Sequence, residues 1–240
     1  MTTVGDAVHG PARPGRWRVA LLVARKDLRI EWRARVLATQ VMPFAGVVMV
    51  LFAFALDATN VLQRVAPGLI WLAVLFSMLV LVQRSFALEA DDGALEALRV
   101  AGVDTVGLFW GKVASLVVQL LVLQVLLVVS AVVLYGATLR PEGGVLLVTT
   151  AISATLGLAA VGTIYGGLAA GVSGRESLLP LLVLPVASPV LIGATRAVEA
   201  ALGTGGATTS EGWPWVGLLA VFAVAFGVGG SLAFGPLIEE

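Results

Sequence analysis

Long apolar runs separated by short polar stretches set the plan of this chain. Six runs stand out, at 36–56, 66–82, 106–135, 144–171, 178–194 and 215–238. At 1.5 Å of rise per residue, runs of this length cross about 30 Å of hydrocarbon, so each predicts a transmembrane helix. The 106–135 run exceeds that thickness, which places its first turns in the interface, and Asp104 stands where an N-cap belongs. Pro67 suits the first turn of the second span, whereas Pro180, Pro185 and Pro189 predict a fifth span that is not straight. After that span a short helical piece, RAVEAAL, leads into a Gly/Thr-rich turn, leaving open whether 195–212 dips back into the outer leaflet. Trp213, Pro214 and Trp215 read as an aromatic interface anchor at the entrance to the sixth span.

Two further patterns lie outside this simple alternation. Over 16–35 the spacing is helical: Trp17, Leu21, Ala24, Leu28 and Trp32 share a stripe, with Arg18, Arg25, Lys26, Arg29 and Arg33 beside it. Such a helix lies on a membrane surface, tryptophans at the acyl boundary and basic side chains toward lipid phosphates. Residues 1–15, with Gly5, Gly10, Pro11, Pro14 and Gly15, read as a flexible tail. Within the fourth run, Gly162/Gly166 and Gly167/Gly171 have the spacing that lets helices approach closely.

Composition sharpens the class. The 240 residues are 59% hydrophobic and 12% charged, with a mean hydropathy of +1.00, against about a quarter charged in soluble domains. The expectation is an all-α integral membrane protein: six transmembrane helices preceded by an amphipathic interfacial helix. Basic and acidic residues balance at 15 each, which gives no electrostatic footprint for nucleic acid. Zero cysteines exclude disulfides and thiolate chemistry. Of the Lys and Arg residues, twelve fall before the first span, in the 83–105 loop, at its junction with the third span, and in the loop after the fourth span. Arg64, Arg140 and Arg196 alone lie on the other side, so both termini are expected in the cytoplasm. The Arg-over-Lys and Ala/Val/Gly bias is that of GC-rich bacterial genomes, pointing to a bacterial plasma membrane.

Candidate chemistry is sparse. Gly107, Gly111 and Lys112 imitate a phosphate loop, but the spacing is one residue short and Val113 replaces the Ser or Thr that would meet magnesium. His9 is the sole histidine and lies in the tail. The spans carry almost no ionisable groups, which argues against an ion path; Gln119 and Gln124 read as interhelical hydrogen-bonding residues, with a substrate path as the alternative. Met42, Met49, Met78, Tyr135 and Tyr165 are possible axial haem ligands by type, yet read as packing residues. No cofactor or metal is expected to be bound directly.

The longest polar interruption, Gln83 to Lys112, contains the expected cytoplasmic loop 83–105. Read as a helix, it places Glu89, Asp92 and Glu96 on one face with Arg99 beside them, and Leu88 and Leu95 to one side. Gly93 weakens its middle by about 1 kcal/mol relative to Ala, so two short helices joined at Asp91 to Gly93, the second ending near Gly102, fit the pattern as well as one. Such an acidic and apolar knob suits a groove on a soluble partner; a solvated loop of no special role accounts for the charges equally well.

The run RSFALEADDGALEALRVAGVD followed by GK at the head of a long apolar helix resembles the coupling region of ABC-2-type permeases. It is most similar to the CcmB family, the membrane subunit of the haem exporter in bacterial cytochrome c maturation. The resemblance extends to ARKDLRIEWRAR, VAPGLIWLAVLF and LLPLLVLPVASPVLIGATRA, in the same order. It implies an ABC-2-type half-transporter that dimerises, binds a cytoplasmic ABC ATPase on a separate chain, and works with other haem-handling membrane proteins, with haem as the substrate of the complex. Energy from the ATPase would be coupled to release of a haem-loaded chaperone. In this setting Glu89, Asp92, Gly93, Glu96 and Arg99 would form the ATPase contact. Other ABC-2 permeases, exporting a drug, lipid or polysaccharide, share the fold, and a non-transporting scaffold shares the hydropathy.

Overall fold

Helix formation here follows from uninterrupted apolar sequence and from a few sharp end signals. The computed structural model describes residues 15–56, 59–91, 100, 102–137, 140–170 and 175–239; the expected tail before Gly15 lies outside them. Among the described residues seven long helices are present: α1 (Arg16–Ala34), α2 (Met42–Ala55), α3 (Thr59–Asp91), α4 (Thr105–Tyr135), α5 (Gly144–Ala170), α6 (Arg175–Leu202) and α7 (Thr209–Glu239). A π-helical turn, Leu37–Val41, joins the first two. Among the described residues six stretches are long and apolar enough to cross a membrane: Leu37–Ala55, Val61–Glu89, Thr105–Tyr135, Pro141–Ala170, Leu178–Leu202 and Thr209–Leu237. This is an all-α, multi-pass membrane architecture.

End signals locate the breaks. The Asp104 carboxylate accepts a hydrogen bond from the Gly107 amide at 2.8 Å, so the expected N-cap of α4 is realised. Gly136 closes the same helix in the left-handed conformation at φ 63°. Arg35 does so for α1 at φ 54°, its amide bonding to the Glu31 carbonyl, while the Glu31 carboxylate receives the Leu37 amide. This double use of Glu31 lets the chain turn from α1 into the first span with its amides satisfied.

Several boundaries differ from the sequence reading. The second span does not open at Pro67: α3 begins at Thr59, with Pro67 inside. Nor does it end near Val82, since the helix continues through Asp91; residues 83–91 of the expected 83–105 loop are therefore helical. The fifth span is a single helix through Pro180, Pro185 and Pro189, and RAVEAAL is its C-terminal end instead of a separate piece. The following turn is confined to the glycines 203, 205 and 206, all with positive φ. The sixth span starts at Thr209 and carries Pro214 inside it.

Between apolar helices in lipid, association depends on close packing and on hydrogen bonds more than on expulsion of water. α5 is the central packing element, lying against α7, α6, α4 and α3. Its glycines make this possible: a Cβ on Gly162 would stand 2.6 Å from the Met78 sulfur, and one on Gly166 2.6 Å from Val82 and Phe86. Gly157 and Gly167 likewise receive Phe222 and Phe234 of α7. The Gln124 amide donates to the Thr155 hydroxyl at 2.6 Å, joining α4 to α5 as the interhelical reading expected, whereas Gln119 bonds back to the Ser115 carbonyl of its own helix at 3.2 Å. Tyr135 donates to the Met49 carbonyl at 2.7 Å, and Trp110 to Ser231 at 2.8 Å. Met49, Met78 and Tyr135 are fully buried packing residues.

Gly166→Val is expected to lower the stability of the protein in detergent by about 1–3 kcal/mol, because the added methyls must displace Val82 and Phe86. Gly46→Ala, where nothing lies within 4 Å, is expected to leave the thermal midpoint unchanged or slightly raised.

Candidate functional site

Helix α1, expected to lie on a membrane surface, does not stand apart from the bundle. Val19, Ala20, Val23 and Ala24, spaced one helical turn apart, form its buried stripe, and that stripe packs on the first turns of α4. Gly107 and Gly111 supply the receiving notch. A Cβ on Gly107 would lie 2.8 Å from the Arg16 carbonyl oxygen, and one on Gly111 would lie 2.7 Å from the Ala20 carbonyl oxygen and 2.6 Å from Val23 Cβ. The glycines that imitate a phosphate loop are thus a helix-packing surface. Arg16 pairs with Asp104 at 3.5 Å at one end of the contact, and Asp27 meets Lys112 at the other, so α1 and α4 run side by side in the same direction.

Directly beyond the notch lies a buried charge cluster. Lys112 of α4 is almost completely enclosed, its side chain 1% exposed, and its ammonium sits 2.7 Å from Glu89 Oε2 of α3 and 3.8 Å from Asp27 Oδ2 of α1. It also donates to Ser85 at 3.1 Å and lies 4.4 Å from the centroid of the Phe86 ring. Lys26, on the outer side, reaches Glu89 at 2.5 Å and Asp27 at 3.2 Å. Two cations and two anions close the cluster at zero net charge, which permits burial at the end of an apolar bundle. Burial works against the charge on Lys26, but the hydrogen bond to Glu89 and the nearby carboxylates outweigh it and hold its pKa above the ordinary lysine value. Its contribution to stability is therefore complete below that ordinary value and fades only as pH climbs through the raised one. A cleft of about 40 Å³ opens onto Lys26, Asp27, Arg84 and Glu89, room for ordered water.

Of the residues expected to meet an ATPase, Glu89 is turned inward into this cluster, 5% exposed. It does not share an outward acidic face. Asp92, Gly93, Glu96 and Arg99 lie outside the described residues. Of the expected membrane-surface residues, Trp17 and Trp32 are 80% and 84% exposed, and Arg18, Arg25, Arg29 and Arg33 are exposed as well. Lys26 is instead committed to the charge cluster. The stripe read from the sequence is displaced in part: Ala24 belongs to the buried face, with Leu28 half-buried.

Asp27 and Lys112 were not singled out as a pair by the sequence pattern. The available signal was a lysine that follows an apolar turn and precedes an uninterrupted apolar helix; such a group calls for a counter-charge on a neighbouring element. Among the described residues, no cluster of His, Cys, Asp or Glu is arranged to hold a metal ion.

Comparison with known proteins fits this architecture. The family model described as CcmB protein matches residues 18–236. Heme exporter protein B of Paracoccus denitrificans is 32% identical over 183 residues, covering 75% of this chain and 81% of that protein. The proteins of the same name from Haemophilus influenzae and Escherichia coli K12 are 31% and 30% identical over 184 and 188 residues. Those alignments cover 76% and 77% of this chain and 82% of each relative. With the family match running from α1 to α7, the chain belongs to the CcmB family.

Proposed function

We propose that this chain is the membrane permease subunit of a haem exporter serving cytochrome c biogenesis in a bacterial inner membrane. The observation that carries the reading is the family match across residues 18–236, joined to six membrane-crossing helices. The chain acts as a transport component; ATP hydrolysis belongs to a cytoplasmic ABC ATPase on a separate chain, and other haem-handling membrane proteins complete the assembly. Haem is the substrate of the complex, and energy from the ATPase drives release of the haem-loaded chaperone.

The ATPase docks on the cytoplasmic segment after Asp91, where Asp92, Gly93, Glu96 and Arg99 make the contact and Glu89 anchors its root in the bundle. Both termini face the cytoplasm, supported by the distribution of arginines. Arg25, Arg29 and Arg33, which with Leu22 and Ile30 line an open furrow of about 400 Å³ on α1, meet lipid headgroups together with Trp17, Arg18 and Trp32. The first and last spans are the least buried of the six, and these apolar faces are available to a second copy in a homodimer or to the other membrane subunits.

Two outcomes test this reading. In a bacterium lacking its own CcmB-family subunit, the chain is expected to restore covalent haem on c-type cytochromes, read by haem staining of membranes; no restoration despite normal insertion contradicts it. Asp92→Lys/Glu96→Lys is expected to abolish co-purification with the ATPase without reducing insertion, and unchanged co-purification would rule out this docking segment.

A further inference from the structure

The buried cluster has more connectivity than support of one helix requires. It joins three elements that enter the cytoplasmic side of the bundle from different directions: α1 through Asp27 and Lys26, α3 through Glu89, and α4 through Lys112. Glu89 is the last described residue of α3 but two, so it sits at the root of the segment after Asp91. α1 passes through left-handed Arg35 and a π-helical turn straight into the first span. The first span itself has little other purchase on the bundle, packing on α4 and α3 over a limited surface. A displacement of the segment after Asp91 therefore has a short route to the first span: Glu89, the lysines, α1, Arg35.

We propose that Lys112 is a positioning residue. With Glu89 and Asp27 it fixes α1 and the cytoplasmic ends of α3 and α4 into one body, so that force applied after Asp91 is delivered through α1 to the first span. The inference rests on the proposed docking of an ATPase at that segment. Charge is the suitable fastener here, because the paired groups are desolvated and held from several sides, and their separation leaves ions without water or partners. The glycine notch sets how closely α1 approaches α4; the charges set its position along α4 and bring α3 into the same unit.

The cluster divides into two neutral pairs, which makes a clean test possible. Lys112→Met/Glu89→Leu removes one buried cation and one buried anion and leaves Lys26 with Asp27, already 3.2 Å apart. Apolar replacement of a buried pair is often tolerated by folding. In cells lacking their own subunit, this variant is expected to insert and, because buried Glu89 does not itself touch the ATPase and Asp92, Glu96 and Arg99 are left in place, to retain the ATPase. Covalent haem on c-type cytochromes, per inserted copy, is expected to fall at least tenfold. Lys112→Arg, which keeps the charge, is expected to recover a large part of that loss, whereas a purely space-filling role would favour Met over the bulkier, charged Arg. Haem attachment at the unaltered level in the apolar double variant would overturn the proposal. So would loss of insertion in the double variant with full activity in Lys112→Met alone, since the cation would then have no part in function. Should the unaltered chain itself neither retain the ATPase nor support haem attachment, the functional reading fails and the inference with it.

Discussion

A lysine ammonium placed inside an apolar helix bundle has to find a counter-charge, and the position of Lys112 shapes this end of the bundle accordingly. Its side chain is 1% exposed, so neither water nor headgroups satisfy it. Glu89 and Asp27 do, and because they sit on α3 and α1, satisfying one ion holds three helices in register. Breaking such a pair by removing one partner costs about 3–5 kcal/mol, much of it the penalty on the charge left behind. Burying a charged network is weak support for stability in itself and stronger support for a fixed geometry. That geometry is what the proposed docking of a soluble ATPase requires of the helix ends beside it.

Away from this end the bundle is assembled by other means. Glycines on α5 admit Met78, Val82, Phe86, Phe222 and Phe234 at distances a methyl-bearing residue would block. Single hydrogen bonds, Gln124 to Thr155, Tyr135 to Met49 and Trp110 to Ser231, tie pairs of helices at different levels. Each is worth roughly 1 kcal/mol or less in a bilayer. The division is physical: modest packing and hydrogen-bond terms within the apolar bundle, strong ionic fastening where α1 meets it.

Much of this was legible in the sequence because it is local. Six apolar runs, the Asp104 cap and the Gly162/Gly166 approach are written in consecutive or helically spaced residues. Span ends were less legible. QRSFALEAD loses hydropathy without losing helix-forming residues, so α3 continues where a hydropathy reading stops it. Pro180, Pro185 and Pro189 weaken a helix locally, yet α6 runs through all three, packed along one face on α5, α7 and α3, with Ser188 bonding back to the Leu184 carbonyl at 2.8 Å. The inward turn of Glu89 was not legible, because its partners lie on α1 and α4, far off in the chain. An acidic residue beside Asp92 and Glu96 looks like part of one solvated face until Lys26 and Lys112 are seen around it.

The central claim, that α1 stays joined to α4 while the protein works, can be tested with a chain that has no cysteine of its own. Arg16 and Asp104 form an accessible pair at 3.5 Å, so Arg16→Cys/Asp104→Cys can be bridged by a short bis-maleimide in spheroplasts before c-type cytochrome synthesis is induced. The unbridged double-cysteine protein serves as its own reference for the lost helix cap. Haem attachment by the bridged protein at the level of the unbridged one is the expected result. Efficient bridging that abolishes haem attachment would show that α1 must leave α4, and would contradict the account.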